Sequence, residues 1–393
     1  LIEFSEGKPK MAIQFVEAAL QNLNLSDSFD DKLLEKLIFG RGAVNDKEFQ
    51  NLKLFSVFKY FEFPDDSYFS INESHYTQLL EHSSFFSKFL KATPNDVRLV
   101  LRKYLEKGVL ERRGNKIVIR PNPLSLKLSL IFWNELPPYE YKSFIQSIPQ
   151  TLISPLTEQL QLLGNVGNAK QLVEITWGDN GNFSTAEILN SRIGSQLFRS
   201  VATVNPKEII KVFVKHYLDK PKSYLESIKE GRQNLVWALE RLCYREETFT
   251  QASQVLMCFA AAEIETYYSN NSTHYFTQLF RIFLAGTEVN FEPRINVLKW
   301  ALKKNDDNFN LLILKASERA FTPSHNLHKM LGAENQGGLV ALIDYRPKSP
   351  DEINNYRKEI IEILMKFVEI ENPHQLAAQR IIYNNVHDLF EFN

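Results

Sequence analysis

Between Thr93 and Arg120 the chain reads TPNDVRLVLRKYLEKGVLERRGNKIVIR, and few folds accommodate that succession. Pro94, Asn95 and Asp96 make a helix start. Val97, Val100, Leu101, Tyr104 and Leu105 then recur at i, i+3, i+4, i+7 and i+8 and so share one helical face. Gly108 stops that helix, because a residue just past the last turn often needs a left-handed backbone, which glycine adopts without a Cβ clash. The spacing predicts an extended run from Val109 to Arg112, a turn at Arg113-Gly114-Asn115 and a returning strand from Lys116 to Arg120. A helix that runs into a basic hairpin is the ending of a winged-helix module. Upstream, Phe49, Leu52, Phe55, Phe58 and Tyr60 predict a phenylalanine-rich helix, and His75 to Leu90 predicts another, so the module is placed at 44–135. Two further helical patterns precede it, at 9–25 and at about 30–39.

A chain of 393 residues exceeds one ordinary core, and 44% hydrophobic with 24% charged residues describes a globular protein rather than a disordered one. Lys and Arg number 46 against 47 Asp and Glu, so no global field draws the chain to nucleic acid or to an anionic membrane. Any such affinity has to be local. The longest apolar run, near Val255 to Ala262, is far short of the roughly 20 residues that a bilayer needs. Two cysteines, Cys243 and Cys258, make neither a disulfide framework nor a four-ligand zinc site, and such sparing use fits a reducing compartment, with the cytoplasm as the expected location. The opening LIEFSEGKPK has no initiating methionine and no signal pattern, which suggests a piece of a longer protein.

Beyond Pro137-Pro138 the pattern is a succession of helices with short polar joints. Asn205-Pro206-Lys207-Glu208 opens one of them, and Ser349-Pro350-Asp351-Glu352 is an S-x-x-E capping box in front of another. Asn234–Tyr244 pairs with Phe249–Glu265, and Thr273–Ala285, closed by Gly286, pairs with Phe291–Lys304. Each has one apolar face, and faces of this kind are buried by stacking side by side, so 136–393 is predicted to be an α-helical repeat array of HEAT-like character. Gly-Asn steps in 164–182 flank a short apolar segment, Gln171 to Trp177, and predict a hinge or loop that subdivides the array.

Sites of chemistry are few. Arg98, Arg102, Lys103, Arg112, Arg113 and Lys116 could contact phosphates or a partner, since a winged helix lays its third helix in the major groove and its wing on the backbone; Glu106 and Glu111 interrupt the patch, and a solvated charged face explains the same residues. His325 and His328 stand at i, i+3, where Glu318 or Glu334 could join them on a metal, but the H-E-x-x-H frame of a metalloprotease is absent and surface histidines account for them. Cys243 and Cys258 lie on apolar faces and read as buried hydrophobes. Gly337-Gly338 belongs to no phosphate loop, because G-x-x-x-x-G-K-[ST] occurs nowhere in the chain. Trp133, Trp177, Trp237 and Trp300 read as packing residues.

The opening SEGKPKMA resembles the segment that closes the nucleotide-binding module of STAND-type P-loop ATPases, with Ser5, Gly7, Pro9 and Ala12 at the turn that starts the lid helix. The runs NLVWALERLCYREETFTQASQVLMCFAAAE, NNSTHYFTQLFRIFLAGTEVNFEPRINVLKWAL and DYRPKSPDEINNYR are similar to the helical region of large bacterial STAND-like proteins, several of which act in anti-phage defence. The resemblance implies a helical lid at 1–43, with Gly7 and Pro9 nearest a nucleotide site outside this chain. It also implies a winged helix acting as a lever and repeats that sense a ligand. ATP and magnesium would belong to the parent protein, with no cofactor, metal or catalysis in this chain. The expected partner is a protein, or the parent's own NTPase domain, and no membrane; the alternative is a winged-helix nucleic-acid-binding protein with a helical effector domain. The Met-His-Asp motif of some relatives' winged helices is absent.

Overall fold

The computed structural model describes residues 34–35, 38–39, 45–62, 94–140, 143–144, 147–165, 169–264, 270–322, 343–369 and 372–385. The fold is mainly α, with one small antiparallel sheet and many packed helices. The chain divides into two compact units, Leu1–Thr176 and Trp177–Asn393.

In the first unit α1 (Asp46–Ser56) begins where the Asn45 side chain accepts the Glu48 N–H at 3.2 Å. It ends earlier than the phenylalanine spacing suggested. Phe58 and Tyr60 lie outside it, and the chain turns into β1 (Phe61–Glu62). Rings decide this outcome: Phe61 meets Phe55 and Phe58 edge to face at 4.8 and 5.1 Å, an aromatic cluster that a continued helix would have pulled apart. Next among the described elements come α2 (Pro94–Glu106), β2 (Leu110–Arg113) and β3 (Lys116–Ile119). Gly108 and Gly114 take φ of +76° and +62°, the left-handed values that the helix stop and the hairpin turn require. β3 is the middle strand, pairing Phe61 with Ile117 on one side and Leu110 with Ile119 on the other. The third strand is the addition to the expected hairpin: β1, from before α2, joins the wing, while the helix expected over His75 to Leu90 lies outside the described residues.

Ile117 and Ile119 face inward with Val97, Leu101 and Tyr104 of α2, while α3 (Asn122–Glu135), rich in apolar residues, buries Leu124, Leu128, Phe132 and Trp133. α1 packs along α3, and the almost fully buried Lys53 ammonium is neutralised there by Glu135. α4 (Ile153–Leu162) joins α3 through a Gln159 amide that donates to the Ser125 hydroxyl at 3.0 Å. The stretch 164–182, expected as a hinge or loop that subdivides the array, holds α5 (Ala169–Trp177), where Leu172, Val173 and Trp177 form a buried helical face, and the division between the two compact units falls within it at Thr176 and Trp177.

The second unit is a run of helices: α6 (Ala186–Asn190), α7 (Arg192–Val201), α8 (Pro206–Tyr217), α9 (Lys222–Ser227), α10 (Arg232–Leu242), α11 (Glu246–Ala261), α12 (Ser272–Gln278), α13 (Phe291–Leu302), α14 (Asp307–Arg319), α15 (Pro350–Val368) and α16 (Gln375–Asn385). Packing is between chain neighbours and near neighbours, α7 on α10, α8 on α11, α11 on α12, α13 on α14 and α15 on α16, as a stacked array requires. Among the described residues no strand follows Ile119, and no helix is long and apolar enough to cross a membrane. Two expected details change. α12 stops at Gln278, and Leu279 to Gly286 leave the helix through left-handed Leu284 and Gly286, so Phe280 packs from a turn. At the predicted capping box Ser349 accepts the Glu352 N–H at 3.3 Å, but the Glu352 carboxylate takes the N–H of Lys348 at 2.8 Å rather than that of the cap residue.

Candidate functional site

The basic residues of the winged module are held in different ways. Lys103 donates to both carboxylate oxygens of Glu48, at 2.6 and 2.8 Å, and the Tyr104 hydroxyl donates to the same group at 2.7 Å. Burial pushes the Glu48 carboxyl up, but its hydrogen bonds from Lys103 and Tyr104 outweigh that and hold it below the usual carboxylate range. Arg113 reaches back to Glu111 at 2.9 Å, and the Lys116 ammonium sits 3.7 Å from the centre of the Tyr60 ring. Arg112 and Arg113 are exposed at the hairpin tip, whereas Arg98 and Arg102 are half-buried along α2. Arg113 stands directly opposite Lys116 across the strands. Thus Arg98 and Arg102 share a helix and Arg112, Arg113 and Lys116 share a hairpin, but α2 gives Lys103 to an internal contact.

Gly7, Pro9, His325, His328, Glu334 and the Gly337-Gly338 pair lie outside the described residues, as does nearly all of the 1–43 segment. Glu318 is exposed. Among the described residues no group of three or more His, Cys, Asp or Glu could hold a metal ion. Cys243 and Cys258 are both buried thiols, with burial pushing Cys258 up to about 11, so neither is poised as a nucleophile. Trp133 and Trp177 fill cores as expected, but Trp237 and Trp300 are only half-buried and carry cations on their faces, Arg199 at 4.9 Å and Lys304 at 4.9 Å.

Two clefts flank the turn from α13 to α14. The larger, about 670 Å³, runs between α13 and α15, whose lining residues recur at helical spacing: Lys299, Leu302 and Lys303 on one side, Glu359, Glu362, Ile363, Lys366 and Phe367 on the other. Its walls are clamped by Lys299 and Glu359 at 2.7 Å. Asn305, left-handed at φ +50°, and Asn310 also line it. The smaller, about 360 Å³, lies among Asp219, Lys220, Lys222, Lys304 and Asn308, with Lys304 bound to left-handed Asp219 at 2.7 Å and Lys222 to Asn308 at 3.1 Å. Sequence reading singled out none of these lysines. Lys299 and Lys303 at i, i+4 was the available signal, but which helix faces them was not readable, because Glu359 lies 60 residues on.

No protein-family model, curated protein or solved structure matches the chain. The geometry of these clefts and of the wing therefore carries whatever function is argued.

Proposed function

We propose that the chain is a regulatory and sensing part, without catalysis of its own, of a larger STAND-like switch ATPase. In this reading the winged helix is a rigid connector and the helical array receives a protein partner. One observation carries it: an open groove between α13 and α15 with buried apolar residues, Ile363 and Phe367, at its base and charged side chains along both rims. A floor and rims of that kind suit a protein segment laid along two helices. The engagement of Lys103 and Tyr104 by Glu48 adds support, since it commits part of α2 to the module's own packing. The test is to read the coding sequence upstream of Leu1 and to measure ATP turnover by the longer protein. A G-x-x-x-x-G-K-[ST] loop upstream is expected, with turnover that changes on substitution of Lys303 or Lys366. An upstream sequence without a phosphate loop ends this proposal.

The hairpin tip favours a second reading, duplex DNA binding, because Arg112 and Arg113 are exposed and like charges directly opposite, Arg113 and Lys116, are tolerated there. Fluorescence anisotropy with a labelled duplex at low salt checks it. Salt-sensitive binding lost on charge reversal of Arg112, Arg113 and Lys116 is its signature.

A further inference from the structure

The groove between α13 and α15 is asymmetric in charge. Five of its lining residues are ionised, Lys299, Lys303 and Lys366 against Glu359 and Glu362. Lys299 and Glu359 neutralise each other at 2.7 Å. Lys303 and Lys366 make no ion pair among the described residues, and neither does Glu362. That leaves two exposed ammonium groups, one on each wall, against a single exposed carboxylate. Lys304 and Lys220 lie in the neighbouring cleft, where Asp219 answers Lys304. Lys303 at the C-cap of α13 and Lys366 in the last turn of α15 each complement the dipole of their own helix, and both ammonium-bearing side chains line the same space.

The apolar lining is narrow. Leu302 is half-buried, Ile363 and Phe367 expose only their edges, and the stems of the lysines supply the rest of the greasy wall. The walls are two helix faces side by side, with Lys299, Leu302 and Lys303 at i, i+3 and i+4, and Glu359, Ile363, Lys366 and Phe367 at i, i+4, i+7 and i+8. A third helix seats on such a pair by placing a narrow apolar stripe over the floor and its flanking residues over the rims. We infer that the groove between α13 and α15 binds an amphipathic helical segment of a partner protein, with acidic residues flanking a leucine-type stripe and paired to Lys303 and Lys366. This rests on the reading of the array as a partner-receiving module and names the chemistry of the segment received.

Two synthetic helical peptides test it on the full chain. Both are fluorescein-labelled and carry leucine along one face; one has glutamate on both flanks and the other has lysine at the same positions. The acidic peptide should bind saturably and about tenfold more tightly than the basic one, the weight of two exposed ion pairs, with a preference that shrinks as salt is raised. The double substitution Lys303→Glu with Lys366→Glu should reverse the order of the two peptides, while Lys229→Glu elsewhere in the array leaves it unchanged. Should the reversed variant lose helical circular dichroism, Lys303→Gln with Lys366→Gln should abolish the preference instead. Equal binding of both peptides to the unaltered chain, or an order that survives both double variants, overturns the inference. So does saturation of the groove by 8-anilinonaphthalene-1-sulfonate with neither peptide bound, which would mark a site for a small aromatic anion. Failure of the peptide preference, alongside ATP turnover that still responds to Lys303 or Lys366, removes the acidic segment and leaves the switch reading standing; absence of an upstream phosphate loop does the reverse.

Discussion

Arg232 is a fully buried guanidinium that donates to three main-chain carbonyls, Leu225 at 2.8 Å and Phe259 and Ala262 at 2.7 Å each, with the Phe259 ring 5.1 Å away. Phe259 and Ala262 stand at the C-terminal end of α11, where carbonyls lack helical partners, and Leu225 near the end of α9 also receives the Ile228 N–H, so one side chain ties the ends of two helices together. Arg294, also fully buried, donates to the carbonyls of Val289 and Arg281 in the non-helical segment between α12 and α13, and burial lowers its pKa to about 10, which still leaves it charged at neutral pH. Replacing Arg232 with methionine keeps bulk and strands the carbonyls. Urea unfolding should show a loss of about 3 kcal/mol, and a loss under about 1 kcal/mol would contradict the capping role. Glu48 carries a pH dependence of known sign. Its folded pKa lies below the usual 4.5, so its stabilisation is complete above that value and is lost as pH falls through the depressed one. Glu48→Gln should therefore destabilise at pH 7, with the difference from the unaltered chain shrinking as pH is taken below about 4.5; a constant gap across that range counts against the ion pair.

At the scale of elements, the hairpin module was legible because its signals are local: a helical face, a glycine with φ of +76° and a two-residue turn all lie within Pro94–Ile119. Gly108→Ala has open space around the added methyl, so its cost is backbone strain alone, about 1 to 2 kcal/mol, read as a lowered unfolding midpoint. Gly194→Ala is a different case. Its Cβ would lie 2.0 Å from the carbonyl oxygen of Ile188, and Gly231 meets the carbonyls of Leu189 and Asn190 in the same way, so α6 lies against two glycines. Thermal melting should place Gly194→Ala well below Gly108→Ala, and equal melting points would show that α6 moves aside freely. Helix ends were less legible. Phe58 and Tyr60 continue the spacing of α1, and Phe280 and Phe283 continue that of α12, yet all four fall outside helices: the Phe55, Phe58 and Phe61 rings cluster where α1 stops, and left-handed Leu284 and Gly286 turn the chain away after α12. In α5 the difference runs the other way, since flanking glycines suggest a hinge or loop and burial of Leu172, Val173 and Trp177 makes a helix inside the stretch where the chain divides into its two units.

Over the whole molecule, 46 basic and 47 acidic side chains almost cancel, and the isoelectric point given by the sequence is about 6.8. Net charge therefore passes through zero just below neutrality, where self-association is least opposed. Static light scattering should peak there and fall on either side, and a flat profile would show that local patches rather than net charge govern association. Composition and periodicity by themselves determined the mainly helical class, the stacking of amphipathic faces after Pro138 and the basic hairpin, because those properties are written within one or two turns of chain. Tertiary structure alone decided that β1 joins β3, that Arg232 ties the ends of α9 and α11, that Arg294 holds the segment between α12 and α13, and that Lys303 and Lys366 share a groove. Each of those depends on residues tens of positions apart being brought together, and the free energy that brings them together comes from burial of the whole set of faces rather than from any local preference.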